Sequence, residues 1–260
     1  MMKSKKHRLY GASPDELKAI CEELGLSRFA HKQMLKWLYG RFVSDIDAMT
    51  DIAKSARESL KEHCELGLAA PLKVSVSADG TKKYLFRTSE GEYIESALIP
   101  DGERMTLCVS SQAGCRMGCK FCATGRMGFR HQLSATEIIN QIISIPERDR
   151  LTNLVFMGMG EPLDNYDNVM KFLRLVGDEA GLNIGYRHIS LSTCGLAGRI
   201  RDLAALDLPI TLSISLHAPT NEQRAAIMPI NRRYGVDVLL DACRAYFAKT
   251  GRRISFEYTL

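Results

Sequence analysis

From residue 104 onward the sequence alternates short apolar runs with longer stretches of helical period, and no other feature limits the fold as tightly. Strands are predicted at residues 106–110, 153–157, 188–193, 209–215 and 254–260. Helices are predicted at 134–145, 166–175, 199–206 and 236–248, the first opened by the capping box Ser134-x-x-Glu137. Such alternation implies parallel strands joined by crossover helices, an α/β sheet or barrel. The fifth strand runs to Leu260. A last strand with no partner and no covering helix leaves an open edge, so the expectation is a partial (β/α) barrel, incomplete at its C-terminal side.

Two different patterns precede this core. Residues 1–71 read as a small helical N-terminal domain. Ser13-Pro14-Asp15-Glu16 supplies an N-cap, a proline at the first helical position and a capping box, and Leu17, Ile20, Cys21 and Leu24 follow at helical spacing. A second helix is expected over residues 28–41 and a third from about Asp51 toward Cys64. Residues 72–101 instead alternate with period two and carry the turn signals Asp79-Gly80 and Glu90-Gly91, so they are expected to form a short antiparallel meander bridging the helical domain to the core at 102–260. With 45% hydrophobic and 25% charged residues the chain has the make-up of a globular protein, and disorder and low complexity are excluded. No apolar run approaches the roughly 20 residues that cross a bilayer, and no apolar segment follows the basic start. No membrane association is expected, and a reducing, cytoplasmic setting is, in which the eight cysteines read as metal ligands or reactive thiols rather than a disulfide framework.

The chemistry concentrates in Cys115-Arg116-Met117-Gly118-Cys119-Lys120-Phe121-Cys122. Gly114 and Gly118 favour a loop that wraps three thiolates onto one compact centre. Thiolates suit zinc or iron–sulfur clusters. Structural zinc takes four ligands, often as two cysteine pairs, and no second pair is present. A [4Fe–4S] cluster held by three cysteines keeps one iron open for a substrate or cofactor. A degenerate zinc site and buried structural thiols are the competing readings; the spacing favours the cluster.

A Cys-x-x-x-Cys-x-aromatic-Cys loop after the first core strand resembles the signature of radical S-adenosylmethionine enzymes, and Phe156-Met157-Gly158-Met159-Gly160-Glu161-Pro162 after the second strand matches their second element. The resemblance narrows with Thr106-Leu107-Cys108-Val109-Ser110-Ser111-Gln112, Leu191-Ser192-Thr193-Cys194-Gly195 and Ser213-Ile214-Ser215-Leu216-His217-Ala218. Together these are similar to the dual-specificity adenosine-C2 methyltransferases of bacteria, which modify one adenosine of 23S ribosomal RNA and one of the tRNA anticodon loop. The likeness extends over essentially all 260 positions, including Lys36-Trp37-Leu38-Tyr39.

The resemblance implies a radical-SAM barrel with Cys115, Cys119 and Cys122 on a [4Fe–4S] cluster. It implies that Gly160 and Glu161 contact the methionine part of S-adenosylmethionine, and that Ser192, Ser215, Leu216 and His217 line the rest of that site. In the family the cofactor is cleaved to an adenosyl radical that acts on a methylated cysteine of the C-terminal segment, and the carbon radical adds to adenine C2. The motif match places the base that takes the C2 proton at Glu95, and the second thiol, which resolves the protein–RNA crosslink and leaves a disulfide, at Cys108. Read without the family, Cys108 is a buried strand thiol and Glu95 an exposed strand carboxylate. The methyl-carrying cysteine of the family follows the fifth strand, and Cys243 sits at an unrelated position. The chain is therefore expected to be an incomplete fragment that assembles the cluster without completing methylation.

Between Arg104 and Thr136 five cations (Arg104, Arg116, Lys120, Arg126, Arg130) stand without an acidic residue, around the cysteine loop. Such density attracts a phosphate backbone, and a flipped base could reach the centre. The expected partners are 23S rRNA and tRNA, with an electron donor such as flavodoxin and its reductase, and the chain is expected to be monomeric. Two other readings stand beside this one: a sister rRNA methyltransferase specific for C8, and a non-catalytic zinc-binding RNA module.

Overall fold

A computed structural model describes residues 6–179 and 181–259. The chain begins with β1 (His7–Arg8), α1 (Pro14–Glu23), α2 (Ala30–Leu35), α3 (Lys54–His63) and β2 (Cys64–Glu65), and β1 and β2 pair in parallel. The Ser13 capping box forms in both directions and α1 buries Leu17, Ile20 and Cys21. The second helix does not run unbroken to residue 41. After α2 the chain widens into a π-turn at Lys36–Gly40. Trp37, Leu38 and Tyr39 are consecutive and all buried, which a single apolar stripe cannot achieve, and the Tyr10 hydroxyl donates to the Leu38 carbonyl at 2.9 Å, entering the helical ladder. The third helix starts at Lys54, not Asp51.

The chain continues through β3 (Lys73–Val76), β4 (Lys82–Arg87), β5 (Tyr93–Asp101), β6 (Arg104–Cys108), β7 (Gln112–Gly114), α4 (Ala123–Met127), β8 (Phe129–Gln132) and α5 (Ala135–Ile143). There follow β9 (Asn153–Phe156), α6 (Tyr166–Gly177), β10 (Ile189–Thr193), α7 (Ala197–Ala205), β11 (Thr211–Ser215), α8 (Asn221–Ile227), α9 (Val236–Thr250) and β12 (Ile254–Glu257). Eight strands make one sheet in the order β12-β11-β10-β9-β6-β5-β4-β3. The five from β6 to β12 in that sheet are parallel, and β5, β4 and β3 extend it antiparallel. The meander is thus continuous with the core sheet through β5 and β6 rather than a bridge outside it.

Inward residues such as Leu107, Leu154, Leu191 and Leu212 are fully buried and meet Ile138, Ile139, Val169 and Phe172 from the crossover helices. Phe156 meets Phe172 edge to face at 5.4 Å. The N-terminal helices are fastened to the helical layer by polar ties. Thr136 Oγ1 donates to the Tyr10 carbonyl at 2.7 Å, Asn140 exchanges two hydrogen bonds with the Ala69 backbone, and Lys171 pairs with Glu16 at 2.5 Å. Among the described residues no helix is long and apolar enough to cross a membrane.

Candidate active site

The cysteine loop leaves β7 and returns through α4 to β8, so the β7–β8 hairpin forms its base. Gly114 has φ +70°, and a Cβ there would lie 1.8 Å from the Gly128 carbonyl oxygen, so the close approach that shapes the loop admits only glycine. The Cys115 N–H donates to that same carbonyl at 3.1 Å, and the Cys122 N–H donates to the Cys119 carbonyl at 3.1 Å. Cys115 and Cys119 are buried and Cys122 half-buried, and all three line one cavity of about 230 Å³. Burial pushes the Cys115 thiol up to about 12 and the Cys119 thiol to about 11, with Glu161 and neighbouring sulfurs adding in the same direction.

The loop after β9 closes against the start of the cysteine loop. The Ser111 and Gln112 amides donate to the Met159 carbonyl, and the Glu161 amide donates to Gln112 Oε1 at 2.8 Å. Gly160 has φ +98°, and a Cβ would meet Gln112 Cβ at 2.5 Å, so the glycine is required by protein packing as well as by its place on the cavity wall. The carboxylate of Glu161 is buried, accepting from the Cys194 amide at 2.8 Å and the Leu163 amide at 3.0 Å. Burial raises its pKa and these hydrogen bonds hold it back. A dehydrated carboxylate on a cavity wall favours a cationic group opposite it.

Ser215 ends β11, Ser192 lies one residue before the end of the adjacent parallel strand β10, and both line the same cavity. His217 lines it too, at φ +58°, a conformation side chains rarely adopt, with its Nδ1 2.9 Å from Thr259 Oγ1. Burial lowers the His217 pKa, against the pull of Glu257. Leu216 does not line the cavity: its side chain packs on the core, its amide donates to the Glu257 carbonyl at 3.1 Å, and its carbonyl accepts from the Ala218 amide and from Arg224.

Glu95 and Cys108 lie outside this cavity wall, on the adjoining part of the sheet. Cys108 faces Ala97 across β5 and β6, and Glu95 is two residues from Ala97 on the same face. That diagonal sets their Cβ atoms roughly 7–8 Å apart or slightly less. Burial raises the Cys108 thiol pKa, opposed by a hydrogen bond from the backbone of Met157, which is a cavity residue. Glu95 is half exposed and pairs with Lys83 at 3.0 Å.

Three neighbours escaped the sequence reading. Arg224 on α8 is fully buried and donates to the carbonyls of Leu216, Cys194 and Ser215 and to Asn231 Oδ1. Cys194 is buried beside Cys119 and Met228 and hydrogen-bonds Glu161 through its thiol as well as its amide. Glu257 lies on the cavity wall. Only Glu257 fell within a predicted strand, and nothing in the alternation marked it. Of the cations expected to surround the loop, Arg116 is already engaged, paired with Asp164 at 2.9 Å and stacked on Phe129 at 3.8 Å.

The donor set fits a thiolate-bound cluster with a bound cofactor beside it. Three thiols are set around a cavity at the C-terminal ends of parallel strands, the face where such folds place their ligands. Among the described residues no group of three His, Cys, Asp or Glu side chains is placed to hold a single metal ion, and the three thiols share one cavity wall. Glu161, Ser192, Ser215 and His217 supply the polar groups that orient a second ligand.

Residues 109–260 match the radical SAM superfamily, and residues 7–66 match the ribosomal RNA large subunit methyltransferase N-terminal domain. A probable dual-specificity RNA methyltransferase RlmN of Clostridium novyi is 49% identical over 249 residues, covering 95% of this chain and 73% of the relative. The protein of the same description from Phocaeicola vulgatus is 47% identical over 258 residues, covering 99% of this chain and 73% of its own length. The crystal structure of a radical SAM methyltransferase from Sphaerobacter thermophilus superposes with a TM-score of 0.92 at 41% identity, covering 98% of this chain and 76% of that one.

Proposed function

Because the chain belongs to the RlmN family of the radical SAM superfamily, we propose that it is built to methylate C2 of an adenosine in 23S rRNA and in tRNA, using a [4Fe–4S] cluster and S-adenosylmethionine. The observation that carries this reading is the single cavity shared by Cys115, Cys119, Cys122, Gly160, Glu161, Ser192, Ser215 and His217. When bound, the cluster supplies the electron that cleaves S-adenosylmethionine, opening the radical route that an electron-poor adenine C2 demands. The three thiolates hold the cluster and leave one iron free. Glu161 takes the ammonium of the methionine moiety, while Ser192, Ser215 and His217 orient the nucleoside part, with Leu216 contributing its backbone.

Cys108 and Glu95 act on the RNA side, on the sheet face next to the cavity rim. Glu95 takes the C2 proton, and in the structure it stands paired with Lys83 at 3.0 Å. The Cys108 thiolate attacks the sulfur of the methyl-carrying cysteine: the new sulfur–sulfur bond replaces the broken carbon–sulfur bond, whose electron pair stays on the base's methylene carbon and takes up a proton to give the C2 methyl group. That carrier is assigned to none of the eight cysteines of these 260 residues. On this reading the protein works as a cytoplasmic monomer with flavodoxin and its reductase as electron source.

The test is anaerobic reconstitution with iron and sulfide, followed by mass spectrometry of two products. 5′-Deoxyadenosine formed from S-adenosylmethionine under dithionite supports the cofactor chemistry. C2-methyladenosine in 23S rRNA supports the target. The C8 isomer would move the assignment to the sister chemistry, and a colourless four-ligand zinc protein would end it.

A further inference from the structure

Among the described residues lining the cysteine cavity, Glu161 and Glu257 are the two carboxylates, and they stand in different company. Glu161 is bound by the amides of Leu163 and Cys194, with the Thr193 and Cys194 side chains beside them. Glu257, at the end of β12, is bound by hydroxyls: its Oε2 accepts from Ser215 Oγ at 2.9 Å and from Ser192 Oγ at 3.0 Å, with Ser192 also 3.1 Å from Oε1. The two serine oxygens are 3.4 Å apart, too far to compete with those bonds. The Glu257 carbonyl meanwhile accepts from the amides of Leu216 and His217, each at 3.1 Å, so main chain and side chain of one residue organise the end of β11.

The polarity of the site follows. A serine hydroxyl has one proton and two lone pairs. With both protons committed to Glu257, Ser192 and Ser215 turn only lone pairs toward the cavity. An ionised carboxylate accepts about four hydrogen bonds, and the two hydroxyls leave part of that capacity open. These three side chains therefore face the cavity as acceptors, and a ligand group seated on them must bring donors. An adenosyl ligand brings two such groups, the exocyclic amine of adenine and the adjacent 2′- and 3′-hydroxyls of its ribose, and it is the diol that carboxylates recognise in dinucleotide-binding folds.

We propose that Glu257 is a positioning residue that fixes Ser192 and Ser215 as acceptors and, with them, selects the ribose diol of S-adenosylmethionine. This rests on the cofactor reading above and adds to it the residue that sets the site's hydrogen-bond polarity.

The test uses the cluster-reconstituted protein and S-adenosylhomocysteine, whose neutral sulfur removes any attraction between a sulfonium and the Glu257 charge. Calorimetry measures binding of this probe and of its 2′-deoxy and 3′-deoxy analogues to wild type and to Glu257→Gln, with iron content and thermal midpoint as folding controls. Wild type is expected to bind at least one deoxy analogue about tenfold more weakly, as for a lost hydrogen bond to a charged acceptor. Glu257→Gln is expected to bind the parent probe about tenfold more weakly and to lose the discrimination. A role confined to holding β12 would lower affinity for all three probes equally and leave discrimination intact, which overturns the proposal. Equal binding of all three probes by wild type overturns it without any variant. Failure of wild type to bind the parent probe counts against the cofactor reading instead.

Discussion

Phe121 and His217 meet edge to face with ring centroids 4.9 Å apart, joining the cysteine loop to the segment after β11. The contact explains how a half-exposed aromatic between Cys119 and Cys122 serves the site: it braces the loop against a residue held at positive φ. Such ring pairs contribute about 1 kcal/mol beyond simple burial. Phe121→Ala is expected to lower the thermal midpoint slightly and to speed iron loss to a chelator several-fold, whereas Phe121→Tyr leaves both near wild type. Identical chelation rates in all three proteins would remove the brace from the account.

Six of the eight cysteines divide sharply in the fold. Cys21, Cys64 and Cys243 are buried in the core cluster, away from the cavity, while Cys115, Cys119 and Cys122 line it. Serine at any of the last three is expected to leave the reconstituted protein with little iron and no broad visible absorbance, because a hydroxyl is a poor ligand for this centre. Serine at Cys21, Cys64 or Cys243 leaves iron and sulfide content at the wild-type level. Iron and sulfide analysis reads the difference, and full retention in Cys119→Ser would contradict the assignment.

The legible parts of this molecule are those written in local chemistry. The capping boxes at Ser13 and Ser134 form as the sequence implies, and the five parallel strands lie at the apolar runs that predict them. Gly114 and Gly118 adopt positive φ, as a wrapping loop requires. What stayed hidden depends on burial. Arg224 sits in Asn221-Glu222-Gln223-Arg224, a stretch that reads as solvated helix surface, and only the packing of α8 under the site makes it an interior cation. The π-turn after α2 was equally silent, because it answers the Tyr10 hydroxyl, far away in sequence. Helices as short as α4 carry too few turns to show a period.

Glu137 gives the fold an acid-sensitive tie. Burial works to raise its pKa, but hydrogen bonds from the Ser89 and Ser134 amides and hydroxyls outweigh burial and bring it below its ordinary 4.5. Those bonds link α5 to the turn between β4 and β5, and His131 faces the same carboxylate at 3.8 Å. A carboxylate whose folded pKa is depressed stabilises fully above its unfolded value and loses that contribution as pH falls through the folded one. Glu137→Gln, which keeps an acceptor but not the charge, is expected to cost about 1 kcal/mol at pH 7. Below pH 4.5 its urea midpoint should converge on that of wild type. A gap that persists undiminished in acid would mean that the charge is not what stabilises.

Arg224 is the interior group whose loss should be felt most widely. Its guanidinium is wholly buried, and burial lowers its pKa against the attraction of the neighbouring Cys194 and Cys119 sulfurs. It donates to Cys194 O at 2.6 Å, Asn231 Oδ1 at 3.0 Å, Leu216 O at 3.1 Å and Ser215 O at 3.2 Å, so one side chain ties together the segments that follow β10 and β11. Arg224→Met fills much of the volume but strands these acceptors, each of which costs about 1–3 kcal/mol when buried unpaired. Lysine brings a charge without the planar fork that reaches several carbonyls at once. Both variants are therefore expected to unfold at much lower urea, with a stability loss of about 3–5 kcal/mol for methionine and a smaller loss for lysine. Holding β10 and β11 in register is also what sets Ser192 beside Ser215, so the lysine protein should show weakened S-adenosylhomocysteine binding even where it remains folded. A lysine variant with wild-type stability and affinity would show that the four acceptors are satisfied without the guanidinium fork.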